Sequence, residues 1–77
     1  MRDDEIADHY LCTVIGNDEP RLFACLRSRH THLIGTMPVI KARKYALDRG
    51  FYQETYEAFI ADDIRQWTWR KPQEAPR

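Results

Sequence analysis

The sequence predicts a mainly α-helical fold, a small single domain of three to four short helices. Apolar residues recur at the spacing of an amphipathic helix in several segments. Residues that favour helix ends stand between those segments. The length of 77 residues and the composition, 43% hydrophobic and 31% charged, are typical of one small folded domain. We therefore assign residues 1–70 to a single compact domain and residues 71–77 to a flexible polar tail.

The first two helices are predicted in the N-terminal third of the chain. Asp3 and Asp4 suit a helix N-terminus, where carboxylates interact with unpaired N–H groups. Gly16 and Asn17 can end that helix in the left-handed conformation, and Asp18 can cap the next one. The apolar face of the first helix comprises Ile6, Tyr10, Leu11 and Val14, and one face of the second comprises Leu22, Cys25, Leu26 and Arg29.

Two further helices follow a short loop or extended piece at residues 30–36. Thr36 can cap the third helix, Pro38 lies in its first turn and Gly50 suits the position just after its end. The fourth helix, in residues 52–67, has the clearest pattern. Its predicted inward face comprises Tyr52, Tyr56, Phe59, Ile60, Ile64 and Trp67.

An alternative α+β fold remains open, with a hairpin over residues 10–26 followed by helices. Residues 10–15 and 21–26 are rich in strand-forming residues and flank a Gly-Asn-Asp-Glu-Pro loop. In the simple register of this hairpin, Cys12 faces Cys25.

The net charge of zero conceals charges that are sorted by position. Residues 1–20 carry −5, residues 21–49 carry +6, residues 50–69 carry −3 and the remaining residues carry +2. A basic centre between acidic flanks indicates either a cationic binding face or acidic elements folded against a basic one.

No pattern in the chain predicts a metal site, a cofactor or an enzyme. The possible zinc ligands lack the two close pairs that zinc sites use (Cys12, Cys25, His30 and His32). The glycines are too far apart for a phosphate loop, and Cys25 lies in an apolar segment that does not suit a nucleophile. We expect no catalytic residue, no metal and no cofactor.

The N-terminal sequence is acidic and has no apolar run, which is unlike a secretory or transit segment. Two cysteines are fewer than a small disulfide scaffold normally carries. No stretch approaches the roughly 20 apolar residues that a membrane span needs. These observations predict a soluble cytoplasmic protein with no membrane partner.

Nucleic-acid binding is one functional candidate. The basic segment 21–49 includes Lys41, Arg43 and Lys44, which can neutralise phosphates, and the nearby Tyr45 and Phe51 can stack on bases. This segment predicts a small DNA-binding transcriptional regulator. The net charge of zero is unlike a dedicated nucleic-acid binder.

Protein binding is the favoured candidate. Trp67, Trp69, Arg65 and Arg70 cluster near the C-terminus, and Trp and Arg dominate interface hot spots. The basic segment adds charge that can steer a partner. The predicted partner-binding residues are Arg43, Lys44, Arg65, Trp69 and Arg70.

In overall character, the chain is similar to small phage-encoded proteins that bind and redirect host machinery. It is short, has no catalytic motif and segregates charge and aromatic residues. The resemblance implies a non-enzymatic host-takeover regulator or inhibitor, acting in the host cytoplasm on RNA polymerase or a CRISPR effector. A third possibility is an obligate homodimer in which the exposed aromatic residues of two copies meet, so both a monomer and a homodimer stay open.

Overall fold

The computed structural model describes residues 5–72. They form one five-stranded antiparallel sheet and one helix. The strand order is β3-β2-β1-β5-β4, so that β1 is central and β3 and β4 are the edges. In chain order the elements are β1 (Ala7–Ile15), β2 (Arg21–Leu26), β3 (Thr31–Thr36), α1 (Val39–Asp48), β4 (Tyr52–Ala61) and β5 (Ile64–Arg70). The expectations for Asp3 and Asp4, and for residues 73–77, lie outside the described residues.

The prediction of a mainly α-helical fold is wrong. The first two predicted helices are β1 and β2, and the fourth is the β4–β5 hairpin. The hairpin of the alternative fold is present as β1 and β2, but strands β4 and β5 stand where that alternative placed a helix. The error has a physical cause, since residues four apart share a face in a strand as well as in a helix. The spacing of Tyr10 and Val14 fits both a helix and a strand. Cys12, midway between them, is buried as well, and only a strand places all three residues on one face.

The third predicted helix is present as α1. Its N-cap is Pro38 rather than Thr36, and the Ala42 N–H donates to the Pro38 carbonyl at 3.0 Å. Gly50 follows the C-cap residue Arg49 and has φ +86°, which confirms the predicted left-handed glycine after the helix.

The predicted register of the β1–β2 hairpin is also wrong. Cys12 lies opposite Leu22, and Cys25 lies opposite His9. Because successive strand residues point to opposite faces, the two cysteines lie on different faces of the sheet. Both are free thiols.

The core lies between α1 and one face of the sheet. Ala42 and Ala46 of α1 are fully buried, because their small side chains let the helix approach the strands. The Tyr10 ring packs edge-on against Tyr45, with centroids 5.6 Å apart, and against Phe51 at 4.7 Å. The sheet supplies the rest of the buried cluster: Tyr10, Cys12, Leu22, Ala24 and Trp69.

Helix α1 is too short to cover the sheet from end to end. Ten helical residues span about 15 Å, whereas ten strand residues span roughly 33 Å. The helix begins just after β3 and ends just before β4, so it crosses towards the first residues of β4. The second half of β4 is left uncovered. No helix among residues 5–72 has the length and apolar character needed to cross a membrane.

Candidate interaction surface on strand β4

Three large apolar side chains are exposed within five consecutive residues of β4. The exposed fractions are 67% for Tyr56, 67% for Phe59 and 58% for Ile60. We call these three residues the β4 patch. Single exposed apolar residues are ordinary, but three within five positions, two of them aromatic, are typical of a surface that another molecule covers.

The backbone of β4 favours recognition through side chains rather than strand addition. As an edge strand, β4 has one side without a paired strand. Its register against β5 shifts between Gln53 and Thr55, between Thr55 and Ala58, and between Phe59 and Ala61. Such bulges interrupt the regular row of N–H and C=O groups that an added strand would need. The β4 patch therefore presents aromatic and aliphatic surface on an irregular edge.

Acidic side chains border the β4 patch. Glu57 lies within it in sequence, and Asp62 and Asp63 form the turn between β4 and β5. All three are exposed, and neither aspartate has an ion-pair partner among residues 5–72. We call Glu57, Asp62 and Asp63 the acidic rim. An apolar patch with this rim complements a surface that is apolar and basic.

Of the predicted partner-binding residues, Arg65 lies beside the β4 patch. It is opposite Phe59 in the β4–β5 register. Its Nη1 atom is 3.9 Å from Oε2 of Glu57, and its guanidinium carbon lies 5.7 Å from the ring centroid of Trp67. Arg65 therefore borders the patch and partly offsets the charge of Glu57.

Trp69 does not lie on this surface, contrary to prediction. Its exposed fraction is 0%, because it pairs with the central strand β1 and packs into the core beneath α1. The indole is therefore not available to a partner. The exposed aromatic side chains expected near the C-terminus lie instead on β4.

Arg70 is held at the opposite end of β5 from the β4 patch. Its Nε atom donates to Oε1 of Glu54 at 2.7 Å, and its Nη1 atom is 3.6 Å from Oδ2 of Asp8. The hydrogen bond to Glu54 raises the pKa of Arg70 above its usual value. These contacts join β1, β4 and β5 and leave less of this guanidinium free for a partner.

The basic segment 21–49 does not form one surface. Arg43 and Lys44 are exposed on α1. Arg21 lies opposite Thr13 on the sheet face that α1 does not cover, and Arg27 and Arg29 lie in the turn between β2 and β3. The positive charges are thus divided between opposite sides of the sheet.

Sequence reasoning assigned the β4 patch to the buried face of a helix. The signal that could have corrected this is Asp62-Asp63, a turn sequence between two runs rich in aromatic and β-branched residues. Tyr56 and Ile60 are four residues apart, a spacing that fits a helix and a strand equally, so spacing alone did not distinguish the two.

The thiols do not suggest a nucleophile. Burial raises the pKa of the Cys12 thiol to about 11. Burial also raises the pKa of Cys25, although a hydrogen bond with Thr31 opposes the shift. Both shifts favour the unreactive thiol over the thiolate. Within residues 5–72, no three His, Cys, Asp or Glu side chains are placed to hold a metal ion. The absence of zinc in the purified protein remains a prediction.

No family model matches the chain, and no curated protein or solved structure is significantly similar to it.

Proposed function

We propose that this protein is a non-enzymatic regulator that docks through the β4 patch on a basic surface of a large protein assembly. The observation that supports the proposal is that Tyr56, Phe59 and Ile60, within five residues of one edge strand, are each more than half exposed. Aromatic side chains bury large areas and are enriched at the centres of protein interfaces.

The acidic rim supports a particular class of partner. Assemblies that hold nucleic acid carry basic surfaces to neutralise phosphates. Host RNA polymerase and CRISPR effectors belong to this class, so a phage protein with an acidic, apolar edge could occupy such a surface. The acidic rim would raise the association rate constant, and the β4 patch would lower the dissociation rate constant.

The test compares three tagged proteins for binding to purified bacterial RNA polymerase and to a purified CRISPR effector. The first is the wild type. The second carries Tyr56→Thr, Phe59→Thr and Ile60→Thr, which removes the apolar patch and keeps residues that favour strands. The third is a matched control with Ile40→Gln and Leu47→Gln, which removes exposed apolar side chains from α1.

We expect the wild type and the α1 control to bind one of these assemblies with similar affinity. The β4 variant should bind at least 100-fold more weakly, since hot-spot residues each contribute about 2 kcal/mol or more. An equal loss of affinity in the β4 variant and the α1 control would contradict docking through β4. No binding of the wild type to either assembly would contradict the proposed partner class.

The nucleic-acid alternative depends on Lys41, Arg43 and Lys44, which are exposed on α1. A gel-shift titration of DNA and RNA tests it directly. We expect no retardation at physiological salt, because the basic segment does not form one surface. Retardation that is lost on changing all three residues to alanine, and that weakens with salt, would favour the alternative over docking through β4.

A further inference from the structure

A cavity of about 510 Å³ opens at the end of the sheet away from the β4–β5 turn. It lies where β1 meets β2 and the β2–β3 turn. The residues that line it include two arginines, one acid and one aliphatic residue: Asp8, His9, Cys25, Leu26, Arg27, Arg29 and Thr31. It is separate from the β4 patch.

The charge of this cavity favours an anion. Neither Arg27 nor Arg29 has a side-chain hydrogen bond or ion pair with another of residues 5–72. The one carboxylate, Asp8, is already engaged. Its Oδ2 atom is 2.8 Å from Nδ1 of His9 and 3.6 Å from Nη1 of Arg70. Asp8 also attracts Arg27 electrostatically but forms no ion pair with it, so both guanidinium groups keep their hydrogen-bond donors for a ligand.

The turn that carries both arginines is fixed by its backbone. The Arg29 N–H donates to the Leu26 carbonyl at 2.9 Å, and the Leu26 N–H donates to the His30 carbonyl at 2.9 Å. The Arg27 N–H donates to the Ile6 carbonyl at 3.0 Å, which ties the turn to the start of β1. A ligand at this turn would therefore meet a largely ordered backbone.

Arg29 has φ +77°, a conformation that favours glycine or asparagine. An arginine here costs stability relative to glycine, yet it adds a second arginine to the residues that line the cavity. Strained backbone conformations of this kind cluster at functional sites.

Further polar side chains line the cavity beside the two arginines. His9 lies opposite Cys25, and Cys25 lies opposite Thr31, so the three side chains form one row across β1, β2 and β3. The contact with Asp8 holds Nδ1 of His9 and leaves its Nε2 atom without a partner among the described residues. A pair of guanidinium groups matches the oxygens of a phosphate group.

We propose that this cavity binds a phosphate monoester, with the phosphate group held by Arg27 and Arg29 and the organic group against Leu26. Arginine forms paired hydrogen bonds to phosphate oxygens, and the aliphatic wall can contact an apolar substituent but not a free phosphate ion.

The test is an NMR titration of ¹⁵N-labelled protein with two probes, inorganic phosphate and phenyl phosphate. Ionic strength is held constant with sodium chloride. The site variant carries Arg27→Gln and Arg29→Gly, because glycine adopts φ +77° readily and the turn should still form. The matched control carries Arg43→Gln and Lys44→Gln, which removes the same charge from α1.

Reactivity of Cys25 with a thiol reagent gives a second measurement, since Cys12 is fully buried. We expect both probes to shift the amide signals of residues 26–31, with phenyl phosphate binding more tightly and slowing modification of Cys25. The site variant should bind at least tenfold more weakly, and the control should bind like the wild type.

Three outcomes would overturn the proposal. One is the absence of saturable shifts in the wild type. Another is an equal loss of affinity in the site variant and the control, which would indicate that the probes are attracted by the protein's positive charge in general. The third is binding of inorganic phosphate without phenyl phosphate, which would mean that the cavity admits the free ion and not an ester.

Discussion

Tyr10 lies directly opposite Trp69 across β1 and β5, and both side chains are buried beneath α1. This pairing joins residues that are 59 positions apart in the sequence. It brings together an aromatic cluster in which Tyr10 also contacts Tyr45 and Phe51. Stability of the domain should therefore depend on Trp69.

Trp69→Ala should lower the free energy of unfolding by about 3–5 kcal/mol, because it leaves a large cavity in a small core. Trp69→Phe should cost less than half as much. Phenylalanine keeps most of the ring, and it removes an indole N–H that has no hydrogen-bond partner among residues 5–72. Urea denaturation measures both values, and equal costs for the two variants would contradict this account.

Two phenylalanines should respond differently to truncation. Phe51 is 7% exposed and Phe59 is 67% exposed. Phe51→Ala should cost about 3–5 kcal/mol of unfolding free energy, whereas Phe59→Ala should cost less than about 1 kcal/mol. Thermal and urea unfolding of the pair measure this difference. A large cost for Phe59→Ala would mean that its ring is buried and does not belong to the β4 patch.

Stability should fall as the pH rises from 9 to 11, because burial raises the pKa of Cys12 from 9.0 to about 11. In this window the unfolded chain loses the thiol proton while the folded chain keeps it, so ionisation favours unfolding. We expect Cys12 to account for about 1–2 kcal/mol of the loss.

Cys12→Ala is the control for the pH effect. Its unfolding free energy should fall less steeply than that of the wild type between pH 9 and 11. Burial also raises the pKa of Tyr10, which contributes a similar loss in both proteins. Parallel pH profiles for the two proteins would contradict the assignment to Cys12.

Arg29→Gly should be more stable than Arg29→Ala by about 1 kcal/mol, although glycine increases the entropy of the unfolded chain. Both variants remove the guanidinium, but alanine is strained at φ +77° and glycine is not. Urea denaturation of both variants provides the measurement. The reverse order of stability would show that the turn relaxes away from this conformation.

The predictable parts of the fold and of the site were those that depend on nearby residues. Gly50 follows the end of α1 as predicted, because glycine readily adopts a positive φ, although the helix begins after Pro38 and not after Thr36. The loop between residues 15 and 21 indicates the β1–β2 hairpin. The prediction that Trp69 is an exposed partner-binding residue was wrong, because its side chain is buried and the exposed aromatic rings of β4 were assigned to the core. A small core can hold only some of the aromatic rings, but composition does not indicate which of them are buried.

The tertiary structure decided which residues became core and which became surface. Trp69 is buried because β5 pairs with β1, and Phe59 is exposed because α1 ends before it can cover the far half of β4. Tyr56 and Ile60 have a spacing that fits a helix or a strand, so their local sequence does not choose between the two. Long-range strand pairing made that choice, because a strand gains its hydrogen bonds and half its burial from residues distant in the chain.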